Sequence, residues 1–371
     1  MPRPMYDVKP EEFQNSWQVT FRRYVRRICR WTGGLAAGGL ACHAPPCDAV
    51  SPGVTQSCAV PGWTDRDIDV RPPDRWDGVS PVPVLIALHG GGGNRASAAH
   101  IGCPGGDPAS PGCLSTVAGT AGFAVVYADG TRGRIGNLRT WNAGGGADGW
   151  QCVSGRACAE GVDDLAYLDA VREVVEGLLP VDGWYATGHS NGGAMAYRLA
   201  CARSEVFRGI APTGAGNQAA TAPGCAPTAP VAILDLHGTD DPCWGYAGGT
   251  AACLQTDGGA KIGVEATLTG TPDQPGWTTH LGCDGGTRVA AVPDRADDGM
   301  HTDEITYTGC RAPLVHLKTW GGGHTVPGGD PSASVRLVGP VTEDFLANER
   351  IVQFLLTVRS GTETADGYRK K

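Results

Sequence analysis

Residues 184–202 read WYATGHSNGGAMAYRLACA, and Ser190 lies between two glycines in the pattern G-x-S-x-G. A short apolar run, residues 184–187, precedes the pattern, and a helix-forming run, residues 194–202, follows it. The pattern is typical of a tight strand-to-helix turn that exposes a serine hydroxyl, because larger residues two positions away would collide with the strand or the helix. We therefore expect a strand, a sharp turn at Ser190 and a helix whose free N–H groups favour negative charge beside the serine.

Short apolar runs alternate with helical patterns along most of the remaining chain. Residues 82–88 (VPVLIAL) and 123–127 (FAVVY) are nearly continuous apolar runs, which is typical of buried parallel strands. Apolar residues recur at helical spacing over 165–179, and Pro180 follows as a stop signal. Further strands are predicted at 207–212, 231–236 and 313–319, and a closing amphipathic helix at 343–358. This alternation predicts an α/β fold with a mostly parallel central sheet flanked by helices.

The composition excludes several broad classes of protein. Glycine is frequent, at 57 of 371 residues, but it has no G-X-Y period, and 41% of the chain is hydrophobic, so a collagen-like or wholly disordered chain is excluded. The net charge of −8 argues against a nucleic-acid partner held through its phosphates. No apolar run reaches the ~18 residues of a membrane-spanning helix.

The 14 cysteines include no CxxC pair of the kind that indicates a metal site. Disulfides are therefore favoured, and they indicate an oxidising compartment. A basic stretch with arginines from Arg22 to Arg30 precedes a weakly apolar stretch, residues 31–41, which together resemble an export signal. Arg22-Arg23 fits a twin-arginine signal, and a basic disordered tail is the alternative. If the signal is cleaved before Cys42, Cys29 is removed with it. A lipid anchor on Cys42 then leaves twelve cysteines to form disulfides. Proximity then predicts the disulfides 47–58, 103–113, 152–158, 201–225, 243–253 and 283–310.

We divide the chain accordingly. Residues 1–41 are predicted to be a targeting segment and residues 42–60 a linker rich in cysteine and proline. Residues 61–360 form a single catalytic domain in this division, and residues 361–371 a polar tail. The expected localisation is extracellular, with a periplasmic or lipid-anchored protein as the alternatives.

A serine hydroxyl is a poor nucleophile at neutral pH and needs a base that a third group orients. His324 lies in GGGHT, residues 321–325, a loop that directly follows a predicted strand. His316 lies inside that strand and is interpreted as structural, whereas His280 and His301 lie in polar, irregular segments. His324 is therefore the candidate base.

The acid is expected at the end of an intermediate strand, because such a group must reach the base from a neighbouring loop. Residues 231–236 lead into HGTDDP, residues 237–242, which offers both Asp240 and Asp241. One carboxylate can orient His324 while the other caps the turn, and the sequence pattern leaves the choice open.

The sequence HGGGGN, residues 89–94, follows an early strand and lacks the spacing of a dinucleotide site or a P-loop. Glycines in this place suit an oxyanion hole, where bare N–H groups approach a developing oxyanion closely. The predicted donors are the N–H groups of Gly91 and Asn191. A plain glycine turn is the alternative.

These motifs occur in an order that resembles a known family. The set HGGGGN, WNAGGG (141–146), GVDDLAYL (161–168), GHSNGG, LHGTDDP and GGGHTVPG is similar to secreted polyhydroxybutyrate depolymerases and feruloyl esterases, which are α/β-hydrolases. The resemblance implies a triad of Ser190, Asp241 and His324, with Trp141 near the substrate cleft. It also implies a structural role for the pair 163–164.

The chain departs from that family at two places. Val326 stands where an aromatic residue often follows the catalytic histidine, and CWGY, residues 243–246, replaces the usual V-P-Y after the acid. Both changes touch the expected acyl or alcohol pocket, so Trp244 and Val326 join Trp141, which the resemblance implies, as the candidate substrate-binding residues. The chain leaves no room for a polymer-binding domain, so soluble or plant-cell-wall esters are expected rather than crystalline polyester.

The sequence thus predicts an exported serine carboxylic-ester hydrolase that forms an acyl-enzyme and requires neither metal nor cofactor. Its expected substrate is a small or polymer-linked ester. An amidase or peptidase with the same triad is the first alternative, and a non-catalytic binding protein on a hydrolase scaffold is the second.

Overall fold

The computed structural model describes residues 47–134, 136–153, 155–222, 224–250, 259–330 and 335–361. Its fourteen strands are, in chain order, β1 (Gln56–Ala59), β2 (Asp67–Arg71), β3 (Val82–Leu88), β4 (Ala124–Ala128), β5 (Thr131–Arg132), β6 (Arg139–Thr140), β7 (Val181–His189), β8 (Phe207–Thr213), β9 (Ala232–Gly238), β10 (Gly270–Thr271), β11 (Gln274–Pro275), β12 (Thr287–Ala291), β13 (His301–Tyr307) and β14 (Leu314–Trp320).

Nine α-helices occur in these ranges, together with 3₁₀ turns at Pro104–Gly106 and Gln218–Ala220. The helices are α1 (Arg95–His100), α2 (Leu114–Thr120), α3 (Arg156–Ala159), α4 (Asp164–Leu178), α5 (Asn191–Ala202), α6 (Val264–Thr269), α7 (Trp277–Leu281), α8 (Val335–Val338) and α9 (Ala347–Ser360). Among the described helices, none is long and apolar enough to cross a membrane.

Ten strands form one central sheet in the order β1-β2-β4-β3-β7-β8-β9-β14-β13-β12. The six middle strands, from β4 to β14, are mutually parallel. The outer pairs on both sides are antiparallel. The predicted α/β class with a mostly parallel sheet is therefore confirmed.

The middle strands could be predicted from the sequence because they are buried. Every residue of β3 and of β9 is buried, so β3 is a continuous apolar run and β9 is apolar apart from Asp235, His237 and its last glycine. The outer strands were missed because they carry many polar or exposed residues, and all five residues of β12 are exposed. His301, assigned above to an irregular segment, begins β13.

Disulfides hold the loops around the sheet. Five predicted pairs are confirmed: 47–58, 103–113, 152–158, 201–225 and 283–310. Cys243 is also disulfide-bonded, whereas its predicted partner Cys253 lies outside the described residues. Cys29 and Cys42, with the predicted signal and lipid site, lie outside them too.

The start of the sheet corrects one predicted boundary. β1 pairs with β2, yet it falls inside residues 42–60, which were predicted to be a linker. The compact unit that contains the described residues spans 44–371. The sheet thus begins before residue 61, since a short strand with mixed burial carries too little pattern to be recognised.

The parallel strands bring the motifs to one edge. Their carboxyl ends meet at the same side of a sheet, which is where open α/β sheets bind ligands. β3 leads into the glycine loop 89–94, β7 into Ser190, β9 into the loop 239–242 and β14 into the loop 321–325. This edge is called the catalytic edge below.

Candidate active site

Ser190 lies in a strained turn between β7 and α5. Its φ is +56°, one of three positive values among the described non-glycine residues. The turn is held because the Ser190 N–H donates to Thr213 O at 2.9 Å, while Ser190 O accepts from the Ala194 N–H at 2.9 Å. Such strain persists where surrounding structure enforces it, and it is common at functional sites.

The two motif glycines are required by close backbone contacts. A Cβ at Gly188 would lie 2.5 Å from the carbonyl carbon of Gly192. A Cβ at Gly192 would collide with the carbonyl oxygen of Leu88, the last residue of β3. The turn therefore packs directly against β3, where the glycine loop begins.

The glycine loop leaves backbone donors beside this turn. The Gly92 N–H donates to Arg139 O at 2.9 Å and the Gly93 N–H to Gly90 O at 3.0 Å. The Gly91 N–H, by contrast, has no partner among the residues that the structure describes. Asn191 is the first residue of α5, a position whose N–H has no acceptor within a helix. Both predicted oxyanion donors are thus backbone groups not used by the helix or the loop.

His89 orders the glycine loop. Its Nε2 accepts from the Gly130 N–H at 2.9 Å, so its Nδ1 carries the proton and donates to Gly90 O at 2.8 Å. Burial lowers the pKa of His89 to about 4, which keeps the ring neutral, and the two hydrogen bonds fix this tautomer.

Trp141 is part of the scaffold, which corrects its prediction as a substrate-binding residue. Its side chain is fully buried, and its Nε1–H donates to His89 O at 3.0 Å. The Asn191 side chain binds the Trp141 backbone on both sides, accepting from its N–H at 2.7 Å and donating to its carbonyl at 3.0 Å. A buried indole cannot contact a ligand in the cleft, so Trp141 instead ties the glycine loop to the nucleophile turn.

The acidic pair at the start of α4 is structural, as the resemblance implies. Asp163 caps the helix by accepting from the Ala166 N–H at 3.0 Å. Asp164 is fully buried and pairs with Arg66 at 2.7 Å. Asp164 also accepts from the Asn142 N–H, which anchors the chain directly after Trp141.

His324 and Asp241 meet at the catalytic edge. His324 Nδ1 lies 2.7 Å from Asp241 Oδ2. The His324 ring also packs against the ring of His189, with centroids 4.5 Å apart, and His189 directly precedes Ser190. Burial, together with the nearby His324, lowers the pKa of His189 to about 3, so His189 adds no positive charge beside His324.

Asp241 is the more strongly held of the two candidate acids. Its Oδ1 accepts from the N–H groups of Cys243 and Trp244, both at 2.7 Å. Its Oδ2 lies 3.2 Å from His237 Nε2 as well as near His324. Burial alone would raise the pKa of Asp241, but the two histidines hold it well below its usual range. Asp240 is exposed and accepts from the Thr239 hydroxyl at 3.0 Å.

His237 was not recognised from the sequence as part of this site. It is fully buried at the end of β9, and its Nε2 lies 2.7 Å from Trp244 O as well as near Asp241. Burial favours the neutral ring, but the Asp241 carboxylate raises the pKa of His237 above its usual value. The HGTDD spacing places His237 four residues before Asp241, which is the one signal that could have identified it.

Trp244 is also part of the scaffold, which corrects its prediction as a substrate-binding residue. Its side chain is fully buried and its Nε1–H donates to Ile262 O at 2.8 Å. Lys261 Nζ lies 4.8 Å from the Trp244 ring centroid and donates to Cys243 O at 2.8 Å. Lys261 and Ile262 therefore hold the loop that presents Asp241, and nothing in the local sequence around Lys261 indicates this.

The buried Lys261 leads to a pH prediction. Burial lowers its pKa to about 8, although the Asp241 charge opposes this shift. The unfolded chain keeps the proton up to about pH 10.4, so between pH 8 and 10.4 the unfolded state binds more protons and stability rises with pH. The measured quantity is the difference in free energy of unfolding between the wild type and Lys261→Met. We expect this difference to rise in favour of the wild type by on the order of 3 kcal/mol from pH 7 to 10.5. Urea unfolding at each pH measures this, and a flat difference would contradict it.

Val326 is largely covered by its neighbours. It is 8% exposed and lines a small cavity with Ile101, Leu114 and His189, below the ends of β3 and β7. Substrate contact by Val326 therefore stays a prediction.

Among the described residues, one group of possible metal ligands occurs at the site. It consists of Asp241, Cys243 and His324, whose ligand atoms lie within 4.8 Å of one another. Cys243 is disulfide-bonded and offers no thiolate, while Asp241 and His324 already bind each other. The chemistry of these donors fits a hydrogen-bonded pair better than a metal site.

Two curated relatives align with about 70% of this chain. No protein-family model matches the chain. It is 30% identical over 261 residues to a probable feruloyl esterase C of Aspergillus oryzae, covering 69% of this chain and 83% of that relative. It is 29% identical over 285 residues to the putative esterase NocK of Nocardia uniformis subsp. tsuyamanensis, covering 74% of each. A solved acetyl xylan esterase from Aspergillus awamori aligns with a TM-score of 0.44 at 16% identity, over 71% of this chain and 90% of that one.

Proposed function

We propose a mechanism through Ser190, His324 and Asp241. It starts from the fact that this chain belongs to the feruloyl esterase family of α/β-hydrolases and is a carboxylic-ester hydrolase. In this proposal Ser190 is the nucleophile, His324 the general base and acid, and Asp241 the group that orients His324. The N–H groups of Gly91 and Asn191 stabilise the oxyanion.

One observation carries the proposal. The 2.7 Å contact between His324 Nδ1 and Asp241 Oδ2 joins two separate loops at the edge where Ser190 is held in its strained turn. This contact fixes the proton on Nδ1, which leaves Nε2 as an acceptor for a serine proton. The low pKa of Asp241 supports its role, because an ionised carboxylate stabilises the imidazolium that forms when His324 takes the proton.

The steps follow from these roles. Ser190 Oγ forms a bond to the ester carbonyl carbon while its proton passes to His324 Nε2, and the carbonyl oxygen becomes an oxyanion between Gly91 and Asn191. The bond to the alcohol oxygen then breaks, and that oxygen takes the proton from His324. Water attacks the acyl-enzyme with His324 as base, and the acid leaves as Ser190 regains its proton.

The proposed substrate is an ester of a hydroxycinnamic acid such as ferulic acid. The relatives named feruloyl esterase C support this choice over polyhydroxybutyrate. An amidase or peptidase with the same triad is the second candidate, because the same nucleophile, base and oxyanion donors suit amide carbonyls.

A small substrate panel tests the proposal. We expect methyl ferulate to be hydrolysed with a kcat/KM well above those of acetylated xylan and short-chain polyhydroxybutyrate. The amide of ferulic acid should react far more slowly than the methyl ester, because an amine leaves less readily than an alcohol and resonance stabilises the amide. Comparable turnover of ester and amide would favour the second candidate, and turnover of polyhydroxybutyrate alone would overturn the proposed substrate.

We also propose that the enzyme acts outside the cytoplasm. Five disulfides in the described chain support an oxidising compartment. Signal cleavage before Cys42 and a lipid on that residue remain predictions from the sequence, as does the division into one catalytic domain with flanking segments.

A further inference from the structure

His237 is a buried histidine that faces the loop on which Asp241 lies. This loop, residues 239–246, is called the acid loop below. The His237 side chain is fully buried near the end of β9. Its Nε2 lies 2.7 Å from Trp244 O, and because a carbonyl oxygen only accepts, Nε2 carries a proton. Its Nδ1 has no hydrogen-bond partner among the residues that the structure describes.

The Nε2–H group of His237 also faces Asp241. Nε2 lies 3.2 Å from Asp241 Oδ2, which is the oxygen that His324 Nδ1 contacts at 2.7 Å. The other oxygen, Oδ1, accepts from the backbone N–H groups of Cys243 and Trp244. The carboxylate is thus held by the backbone at one oxygen and by two histidines at the other.

Packing alone does not account for an imidazole at this position. The His237 ring meets the Tyr246 ring edge to face, with centroids 5.9 Å apart, a contact that an apolar aromatic ring makes equally well. A buried polar ring costs free energy unless its polar groups are hydrogen-bonded. Both oxygens that Nε2 faces belong to the acid loop, so the imidazole serves the position of that loop and of its carboxylate.

We propose that His237 is a positioning residue that holds Asp241 Oδ2 in place against His324 and shares the negative charge of the carboxylate. It acts through Asp241 rather than on the substrate. A fixed donor at Oδ2 keeps the carboxylate in one orientation while His324 gains and loses its proton. This inference rests on the proposed function, since it concerns the group that orients the proposed base.

Two histidines on one carboxylate have coupled charges. A proton taken up by His237 places a positive charge beside Asp241, which disfavours a second positive charge on His324. Although burial favours the neutral ring, the Asp241 carboxylate raises the pKa of His237 above its ordinary value, so His237 takes up this charge near neutral pH.

Other titratable groups also surround His237. They are Asp235 on β9, Tyr246 on the acid loop, His189 at the end of β7, His324 after β14 and Lys261. Burial lowers the pKa of His189 to about 3 and that of Lys261 to about 8. Both therefore keep their charge state between pH 5 and 7, the range of the test below.

Two substitutions at His237 separate its donor from its ring. His237→Phe keeps a flat ring without a donor, and we expect it to lower kcat on methyl ferulate about 30-fold with little change in KM, because an ionised acceptor loses a donor. His237→Gln keeps an N–H donor near the place of Nε2 but cannot become charged. It should restore kcat at pH 8 to within about threefold of the wild type.

The pH profile gives a readout that a merely structural role does not move. In the wild type, the charge on His237 opposes protonation of the base. His237→Gln removes this charge, so the acid limb of kcat/KM should move to higher pH by about half a pH unit. His316→Gln is the matched control, because His316 is a fully buried histidine on β14 that contacts Asp235 and Tyr246 rather than Asp241. It should keep the wild-type acid limb whatever its effect on stability.

Heteronuclear NMR of the ring nitrogens tests the wild type without any variant. We expect a proton on Nε2 and none on Nδ1 of His237 at pH 8, and a titration of His237 coupled to that of His324. A proton on Nδ1 instead, unchanged kcat in a folded His237→Phe protein, or an unchanged acid limb in His237→Gln would each overturn the positioning role. Each leaves the proposed triad intact, because that proposal fails through retained activity in a Ser190 variant. Thermal unfolding of every variant separates loss of activity from loss of fold.

Discussion

Replacing Ser190 by alanine is expected to lower kcat on methyl ferulate by about a millionfold while the protein stays folded. Alanine lacks the hydroxyl that forms the acyl-enzyme, whereas the oxyanion donors and the substrate pocket remain. Residual turnover above the uncatalysed rate should persist, because the Gly91 and Asn191 N–H groups still stabilise an oxyanion when water attacks directly. KM should change little, since alanine removes one oxygen atom from the turn.

The measurement is steady-state hydrolysis of methyl ferulate with a thermal unfolding scan of the same preparation. Ser80→Ala is the matched control. Ser80 is exposed and lies just before β3, at the opposite edge of the sheet from Ser190. Its variant should retain wild-type kcat. A Ser190→Ala protein with more than about one per cent of wild-type kcat would contradict the assignment.

Asp241→Asn is expected to cost about 10⁴-fold in kcat. Oδ1 accepts from two backbone N–H groups, so the asparagine amide oxygen takes that place and its NH₂ group faces His324 Nδ1. An NH₂ group donates, so Nδ1 must lose its proton and Nε2 must carry it. The ring then has the wrong tautomer to accept the Ser190 proton, although the geometry is unchanged.

Asp240→Asn is the matched control for this prediction, because the chemical change is identical one residue earlier. Asp240 is exposed and its carboxylate accepts from the adjacent Thr239, so its variant should stay near wild-type kcat. The two variants are compared by kcat on methyl ferulate at pH 7. A crippled Asp240→Asn with an active Asp241→Asn would move the acid to Asp240.

The middle of the sheet could be predicted from the sequence because its strands are buried on both faces. β3 and β9 show this directly, since every residue of both strands is buried and most of these residues are apolar. The outer strands β12 and β13 depend on pairing with β14 rather than on their own apolar content. Their polar sequences therefore look like loops until the neighbouring strand is known.

The site residues that directly follow the middle strands could also be predicted from the sequence. Ser190, His324 and the glycine loop each follow a recognisable apolar run, and parallel strands bring their carboxyl ends together. The choice between Asp240 and Asp241 could not be made from spacing, because adjacent residues point in different directions from a loop. It depends on which carboxylate the backbone of Cys243 and Trp244 surrounds.

Two tryptophans show what the sequence could not reveal. The family resemblance implied that Trp141 lies near the cleft, and the position of Trp244 after the acid suggested contact with substrate, yet both side chains are fully buried. Their partners, Asn191 and Lys261, come from elements about 50 and 17 residues away in the chain. Only the three-dimensional packing shows that these large side chains hold the catalytic loops in place rather than line the cleft.

Covalent labelling identifies the nucleophile of the enzyme without reference to any variant of Ser190. The wild-type protein is treated with a fluorophosphonate, digested and analysed by mass spectrometry, with His324→Ala as a parallel sample. We expect one stoichiometric adduct on the peptide that contains Ser190, loss of esterase activity in proportion to labelling, and strongly slowed labelling in His324→Ala. Full esterase activity without an adduct on Ser190, or an adduct on another serine that accounts for the inactivation, would contradict it.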